Sequence, residues 1–285
     1  MKTTVLVDNL KFPESPRWHD GRLWFCDYAA NRVMNVDLKG NLRTVVELPD
    51  LPTAIDWTPD GRLLVVSATA RRLLRLEDGE LAPFADLSEH LPYACGELVV
   101  DRQGRAYMGN LGFDFGAEAP AAANSGSIWL VGPEGHAQLA AGGFGFPNGM
   151  VITPDGQTLI VADSYGACLT AFHIEPGGLL SERRAWAQFD DSISFEEGRF
   201  TPDGICLDAE GAVWVAALNE VLRLHEGAQV VERVPVDHYA LACTLGGPER
   251  RTLFILTTEA LNPADSEARG RIEIVQVEVA GAGRP

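Results

Sequence analysis

Glu14, Asn148 and Asp203 occupy the same place in three related phrases, FPESPRW, FPNGMVI and TPDGICL. Two carboxylates and a carboxamide are hard oxygen donors. They suit Ca²⁺, Mg²⁺ or Mn²⁺ better than a metal that seeks thiolate or imidazole. Two carboxylates in a narrow site repel, and one resists ionising unless a cation lies between them. The amide adds a third oxygen without a third charge. Taken singly, each residue reads as a turn or cap residue, because Asn and Asp beside glycine bond locally and tolerate left-handed backbone. Their chemistry depends on whether the chain brings them to one point.

The chain repeats itself in a way that would do so. The segments 13–27, 52–67, 95–110, 147–163 and 202–217 share one grammar: a short apolar strand, a Gly-containing turn, then a strand rich in Leu, Val, Trp or Tyr. A sixth copy, 241–257, carries Pro248-Glu249 in place of the Pro-Asp turn. A third strand follows each copy, such as RVMNVDL or CLTAFHI, and several copies add a fourth, such as LRTVVEL. Copies begin roughly 37 to 55 residues apart, a spacing that fits one supersecondary unit with variable loops. Helical periodicity is scarce, which argues against βαβ units. These features predict an all-β chain of 285 residues forming one six-bladed β-propeller over 1–285, with four-stranded antiparallel blades around a central channel. The strand TTVLVDNL (3–10) lies outside the six copies and is expected to pair into the last blade and close the ring, protecting its edge. Phe113–Ser125 and Asp190–Phe200 read as long loops.

In a propeller the inner strands line the channel, so the first residues of those strands converge on one mouth. Counting back eight residues from each turn glycine reaches Thr53, Gly96, Asn148 and Asp203. Seven residues reach Glu14 in the first copy, and eight from Arg250 reach Ala242 in the sixth. The expected ring is therefore Glu14, Thr53, Gly96, Asn148, Asp203 and Ala242.

Bulk properties narrow the partners. The net charge is −17, from 23 basic and 40 acidic residues, and it disfavours nucleic acid and anionic membranes. The five cysteines form no CxxC, and the chain starts without a long apolar stretch. Both features fit a cytoplasmic protein with reduced thiols. Other catalytic patterns fail. ADSYG (162–166) lacks the first glycine and the helix of a nucleophile elbow, so Ser164 reads as structural or as a pocket residue. The six histidines show no ligand spacing, and GGFG (142–145) lacks the strand–helix setting of a phosphate loop.

Glu14 in FPESPRW, Asn148 in FPNGM and Asp203 in TPDGI resemble the pattern of the senescence marker protein/regucalcin–gluconolactonase family, and the resemblance extends over nearly the whole chain. It implies a six-bladed propeller with one divalent metal in the channel mouth, calcium foremost, with zinc, manganese, magnesium or iron(II) as the other choices. It implies Glu14, Asn148 and Asp203 as ligands, with Asp203 also acting as general base or nucleophile. The implied activity is hydrolysis of a lactone or related ester; the best-known members act on sugar lactones. Many members carry Asn-Asp before the third inner strand and an arginine two residues earlier, where this chain has Gly96-Glu97 and Ala94. That exchange weighs against a polyhydroxylated sugar lactone. Glu97 is a replacement polar contact if it faces the channel, although strand alternation equally allows it to face away. Tyr93, Phe113, Phe115, Phe144 and Phe146 are placed in loops at the same face, and together with Gly96, Asn110 and Ser164 they complete a candidate substrate surface that is more apolar. Two other readings stay open at this level: a non-catalytic propeller that uses a cation for binding or scaffolding, and a propeller doing other chemistry, such as phosphoester cleavage or isomerisation, at the same site. The oligomeric state has no sequence signal.

Overall fold

A computed structural model describes residues 1–114, 124–189, 201–263, 265, 267 and 269–283. Its strands form six four-stranded antiparallel sheets. In the first, Pro13–His19, Arg22–Asp27, Arg32–Val36 and Leu42–Glu47 lie side by side in sequence order. The next four follow the same plan, with inner strands Pro52–Trp57, Cys95–Val100, Pro147–Ile152 and Ile205–Leu207. The sixth contains Tyr239–Gly246, Thr252–Thr258 and Gly270–Gln276, and its outer place is taken by Thr4–Leu10. Each inner strand contacts the inner strands of the neighbouring blades, and the last returns to the first. The architecture is a six-bladed β-propeller closed by its N-terminal strand.

The sequence produces this ring because both faces of each blade are apolar. In the second strand of blade 2, Leu63–Ser67, all five residues are buried. Leu63 and Val65 pack towards blade 1, while Leu64 and Val66 pack towards blade 3. Blade 5 repeats the division: Val213, Val215 and Ala217 face blade 4, and Trp214 and Ala216 face blade 6. Strand alternation thus sends successive side chains to opposite neighbours. The result is six apolar clusters, one for each junction between blades.

The hairpin joining the first two strands of each blade needs one residue in left-handed backbone. Gly21, Gly61, Gly104, Gly156 and Gly211 supply it, with φ between 72° and 82°. In the degenerate sixth copy Arg250 stands at that point and takes φ 57°. Its guanidinium Nη2 donates to the Gly281 carbonyl at 2.8 Å.

One placement differs from the sequence expectation. Phe144 does not lie in a channel-mouth loop. It ends the fourth strand of blade 3, Ala137–Phe144, and is fully buried between blades 3 and 4, 5.9 Å from the Phe172 ring. The strand runs further than its glycines suggested. Residues 115–123 and 190–200, which include Phe115, most of the first expected loop and all of the second, lie outside the described residues.

Candidate active site at the channel mouth

Three of the mouth positions are set by a buried polar side chain at the end of the neighbouring strand. Asp27 ends the second strand of blade 1, and its Oδ1 accepts the Lys11 and Phe12 amides at 2.9 Å each. Asp163 does the same in blade 4 for the Gly145 and Phe146 amides, at 3.0 and 2.9 Å. Asn110 holds the matching segment of blade 3 by donating to the Tyr93 and Ala94 carbonyls, at 2.6 and 3.0 Å. These contacts fix the chain two residues before Glu14, Asn148 and Gly96.

A break in strand register follows immediately. Pairing shifts between Glu14 and Arg17, Pro52 and Ile55, Cys95 and Leu98, and Pro147 and Met150. Such irregularities re-aim side chains and are common beside functional sites. In blade 1 the shift centres on Ser15, which takes φ 49° and accepts the Ile55 amide of blade 2 on its hydroxyl at 3.2 Å. In blade 3 it frees Glu97 from strict alternation and brings it to the channel. In blade 6 the shift lies between Ala240 and Ala242, so Leu241 lines the cavity where Ala242 was expected. Ala242 instead backs onto Gly204.

The glycines of FPNG and TPDG are close-approach residues rather than turn residues. A Cβ on Gly149 would stand 2.5 Å from the Ile205 nitrogen and 2.6 Å from the Asp203 oxygen. One on Gly204 would meet the Ala242 Cβ at 2.5 Å. The absent side chains let blades 4, 5 and 6 converge, which brings Asn148 beside Asp203. Asp203 itself is gripped from two blades: its amide donates to the Ala216 carbonyl at 2.9 Å, and the following Gly204 amide donates to Leu241 at 2.9 Å.

Glu14, Thr53, Gly96, Glu97, Asn148 and Asp203 meet in one cavity of about 340 Å³. Asp203 Oδ1 is buried and has no hydrogen-bond partner. The Asn148 amide is oriented by a relay. Ser164 Oγ donates its proton to the Pro202 carbonyl at 2.7 Å, so it can only accept from the Asn148 Nδ2 group at 3.2 Å. That directs nitrogen to Ser164 and leaves the amide oxygen for the cavity. Arg17, buried beside the channel, binds Glu97 Oε2 at 3.2 Å and the Leu98 carbonyl at 2.6 Å.

The charges do not balance. Glu14, Glu97 and Asp203 are three carboxylates against one guanidinium, Arg17, which leaves two negative charges over. With no cation to offset them, protons are favoured. Asp203 is pushed up to about 8, first by burial and then by the Glu97 charge, against Asn148 and the Gly204 amide, which pull it down. Glu14 is raised well above the usual carboxylate range by burial, then by Asp203 and Glu97. One divalent cation would match the deficit and give the orphaned Asp203 oxygen a partner. Among the described residues no three His, Cys, Asp or Glu side chains are arranged to hold a metal by themselves. A site here therefore draws on the Asn148 oxygen together with Glu14 and Asp203, and that donor set fits a hard divalent ion.

The remaining sequence candidates divide between two spaces. Phe146 and Ser164 line the first cavity. Tyr93 and Phe113 line a neighbouring one of about 640 Å³, which shares Tyr28, Thr53, Cys95 and Leu111 with the first. Asn110 lies outside the lining of both, its amide committed to the two carbonyls it supports. Gly96 does open space, but Leu111 leans into it, 3.2 Å from where a Cβ would be. Phe12, Tyr28, Tyr165 and Leu241 also line the first cavity, with Cys95, Leu111, Thr201 and Leu261, and were not anticipated. Phe12 precedes Glu14 as Phe146 precedes Asn148, so repeat phase carried a signal for it. Tyr165 joins Phe113 and Phe146 in a three-ring cluster with centroids 5.3–5.4 Å apart.

Known proteins share this arrangement at the level of the whole chain. The profile of the SMP-30/Gluconolactonase/LRE-like region matches residues 12–259. Regucalcin from Xenopus laevis is 27% identical over 276 residues, covering 94% of this chain and 89% of its own. A calcium-binding regucalcin structure from Agrobacterium tumefaciens superposes with a TM-score of 0.82 at 21% identity, over 100% of this chain and 96% of that one. A gluconolactonase from Xanthomonas campestris gives a TM-score of 0.75 at 23% identity, over 95% and 89%. With a matching profile over most of its length, the chain belongs to the SMP-30/gluconolactonase/LRE-like family.

Proposed function

We propose that the protein hydrolyses a lactone or related ester at the channel mouth, with one divalent cation held by Glu14, Asn148 and Asp203. The observation that carries this reading is the Asp203 carboxylate, whose buried Oδ1 has no partner in a cavity that carries two negative charges in excess. Calcium is the first choice of ion, because the donors are all oxygens and a related structure is described as calcium-binding. When bound, the cation supplies Lewis-acid polarisation of the acyl carbonyl.

The chain's own groups account for the rest. The aromatic wall of Phe12, Tyr28 and Phe146 orients an apolar acyl body and keeps bulk water away. Asp203 acts as base or nucleophile. As base it takes a proton from water as the oxygen adds to the carbonyl carbon; the ring C–O bond then breaks, and the proton passes to the alkoxide to give a hydroxy acid. As nucleophile its oxygen adds to that carbon and the ring C–O bond breaks, leaving an acyl-Asp203 anhydride and an alkoxide; water then splits the anhydride, returning the Asp203 carboxylate, and the water's two protons go to the alkoxide and the released acid. Glu97, pinned by Arg17, keeps the local field negative without competing for substrate. The absence of a polar side chain at Gly96 and the apolar mouth favour lactones with few hydroxyls over sugar lactones. The substrate is a small molecule of cytoplasmic origin, and the net charge of −17 offers nothing to a nucleic acid or an anionic membrane. Among the described residues no helix is long and apolar enough to cross a membrane.

The test is calorimetric titration of chelator-stripped protein with Ca²⁺, Mg²⁺, Mn²⁺, Zn²⁺ and Fe²⁺, followed by a lactone panel on the loaded protein. One-to-one binding that vanishes in Asn148→Ala and Asp203→Ala, with hydrolysis of an apolar lactone, supports the reading. Failure of the wild type to bind any of the ions overturns it. Binding without hydrolysis across the panel removes the enzyme and leaves a cation-stabilised binding propeller.

A further inference from the structure

The second cavity contains a charge that the proposed hydrolysis does not use. Arg71 lines it, beside Ala94 and Tyr93. Its Nε is buried without a hydrogen-bond partner, and its guanidinium makes no ion pair among the described residues. The nearby acid Asp50 is already engaged. Its oxygens accept from the Ser67 and Thr69 hydroxyls and the Ala70 amide. Asp114 also borders the cavity. Most of the wall is apolar, including Tyr93, Leu111 and Phe113.

A guanidinium half-removed from water with no anion is costly, and a carboxylate that docks on it recovers much of that cost through charge-assisted, planar hydrogen bonds. The position matters as much as the charge. Arg71 is linked to the first cavity through Cys95, which lines both; its charge eases the rise that burial imposes on the Cys95 thiol, which reaches about 12. The charged side chains that line the first cavity are all carboxylates. Ala94, two residues before Gly96, shares a wall with Arg71.

We propose that Arg71 binds a carboxylate carried by the substrate, so that the preferred substrates are lactones or esters whose apolar body ends in an anionic group. The acyl carbonyl lies at Asp203, the apolar body runs past Leu111 and the aromatic wall, and the carboxylate ends at Arg71. This specificity rests on the hydrolase reading for its reaction, but not for its binding.

Two arms separate those dependencies. In the first, 3-phenylpropionate and 3-phenylpropionamide are titrated calorimetrically against loaded wild type, Arg71→Gln, Arg71→Lys and Asp203→Asn. The acid should bind about tenfold or more tighter than the amide. The preference should disappear in Arg71→Gln, persist in part in Arg71→Lys and survive in Asp203→Asn. The same preference in chelator-stripped wild type excludes carboxylate binding to the cation itself. Equal binding of acid and amide, or a preference untouched by Arg71→Gln in a variant that melts like wild type, overturns the inference. In the second arm, the ratio of kcat/KM for a γ-lactone bearing a carboxylate to that for its carboxamide is compared between wild type and Arg71→Gln. A drop of about tenfold supports the proposal, and an unchanged ratio overturns it. If wild type hydrolyses neither lactone, the hydrolase reading fails while the first arm still decides whether Arg71 is an anion site.

Discussion

Ser164 is the residue whose effect exceeds its apparent chemistry. Its single proton goes to the Pro202 carbonyl, and this commitment decides which end of the Asn148 amide faces the cavity. Ser164→Ala should weaken metal binding about 10- to 100-fold, as loss of an orienting contact behind a ligand does. In an Asn148→Asp background the same change should cost little, because both ends of a carboxylate are oxygen. Calorimetric titration of the four proteins reads the coupling, and an equal loss in both backgrounds would show that Ser164 acts only through packing. Asp203→Asn should reduce lactone turnover by about 10³-fold with the fold intact, measured by pH-stat. At this scale the sequence was informative in proportion to how well repeat phase survives. Glu14, Asn148 and Asp203 stand in phrases that align, and the structure brings them together. Leu241 was missed because a register shift moves the wall by one residue, and no pattern of hydrophobicity marks a shift. Glu97 could be assigned to neither face from alternation for the same reason.

Among the elements, the inner strands carry the design. Five of the six are locally broken, and those of blades 1, 3 and 4 are held in place by a buried Asp or Asn from the neighbouring strand. The Asn-Gly and Asp-Gly pairs look like turn signals in sequence. Their glycines in fact let three blades approach within backbone contact. Gly149→Ala should therefore destabilise the protein by about 3 kcal/mol through overpacking against Ile205 and Asp203, seen as a lower midpoint in urea unfolding. Gly156→Ala, in the hairpin of the same blade, should cost only about 1 kcal/mol, because its Cβ would meet nothing and only the left-handed backbone is strained. Equal effects would contradict the close-approach account. Strand existence was legible because the apolar runs and turn residues repeat. The length of the fourth strand of blade 3 was not, because AAGGF combines residues that favour loops with a register fixed from outside by blade 4.

For the whole molecule the decisive feature is that every apolar cluster belongs to two blades. No blade has a core of its own, so stability is shared around the ring. Removing residues 1–10 should strip the outer strand from blade 6, uncover Leu256 and Ile272 where Leu10 packs, and expose a sheet edge. The expected outcome is a clear fall in melting temperature with concentration-dependent association, followed by scanning calorimetry and sedimentation. Unchanged melting would mean that blade 6 is complete with three strands. The strand that closes the ring also joins partners 270 residues apart, as in the pairing of Thr4 with Ile274. Bringing such distant segments together costs about 5 kcal/mol of chain entropy by loop-closure scaling, and no contact repays any of it until the ends have met. The other five junctions lie between blades adjacent in sequence and need no such search. Folding should therefore stall at an open crescent of blades whose two ends find each other last, and the rate of that step, rather than the stability of any blade, sets how long the protein is exposed to aggregation as it forms.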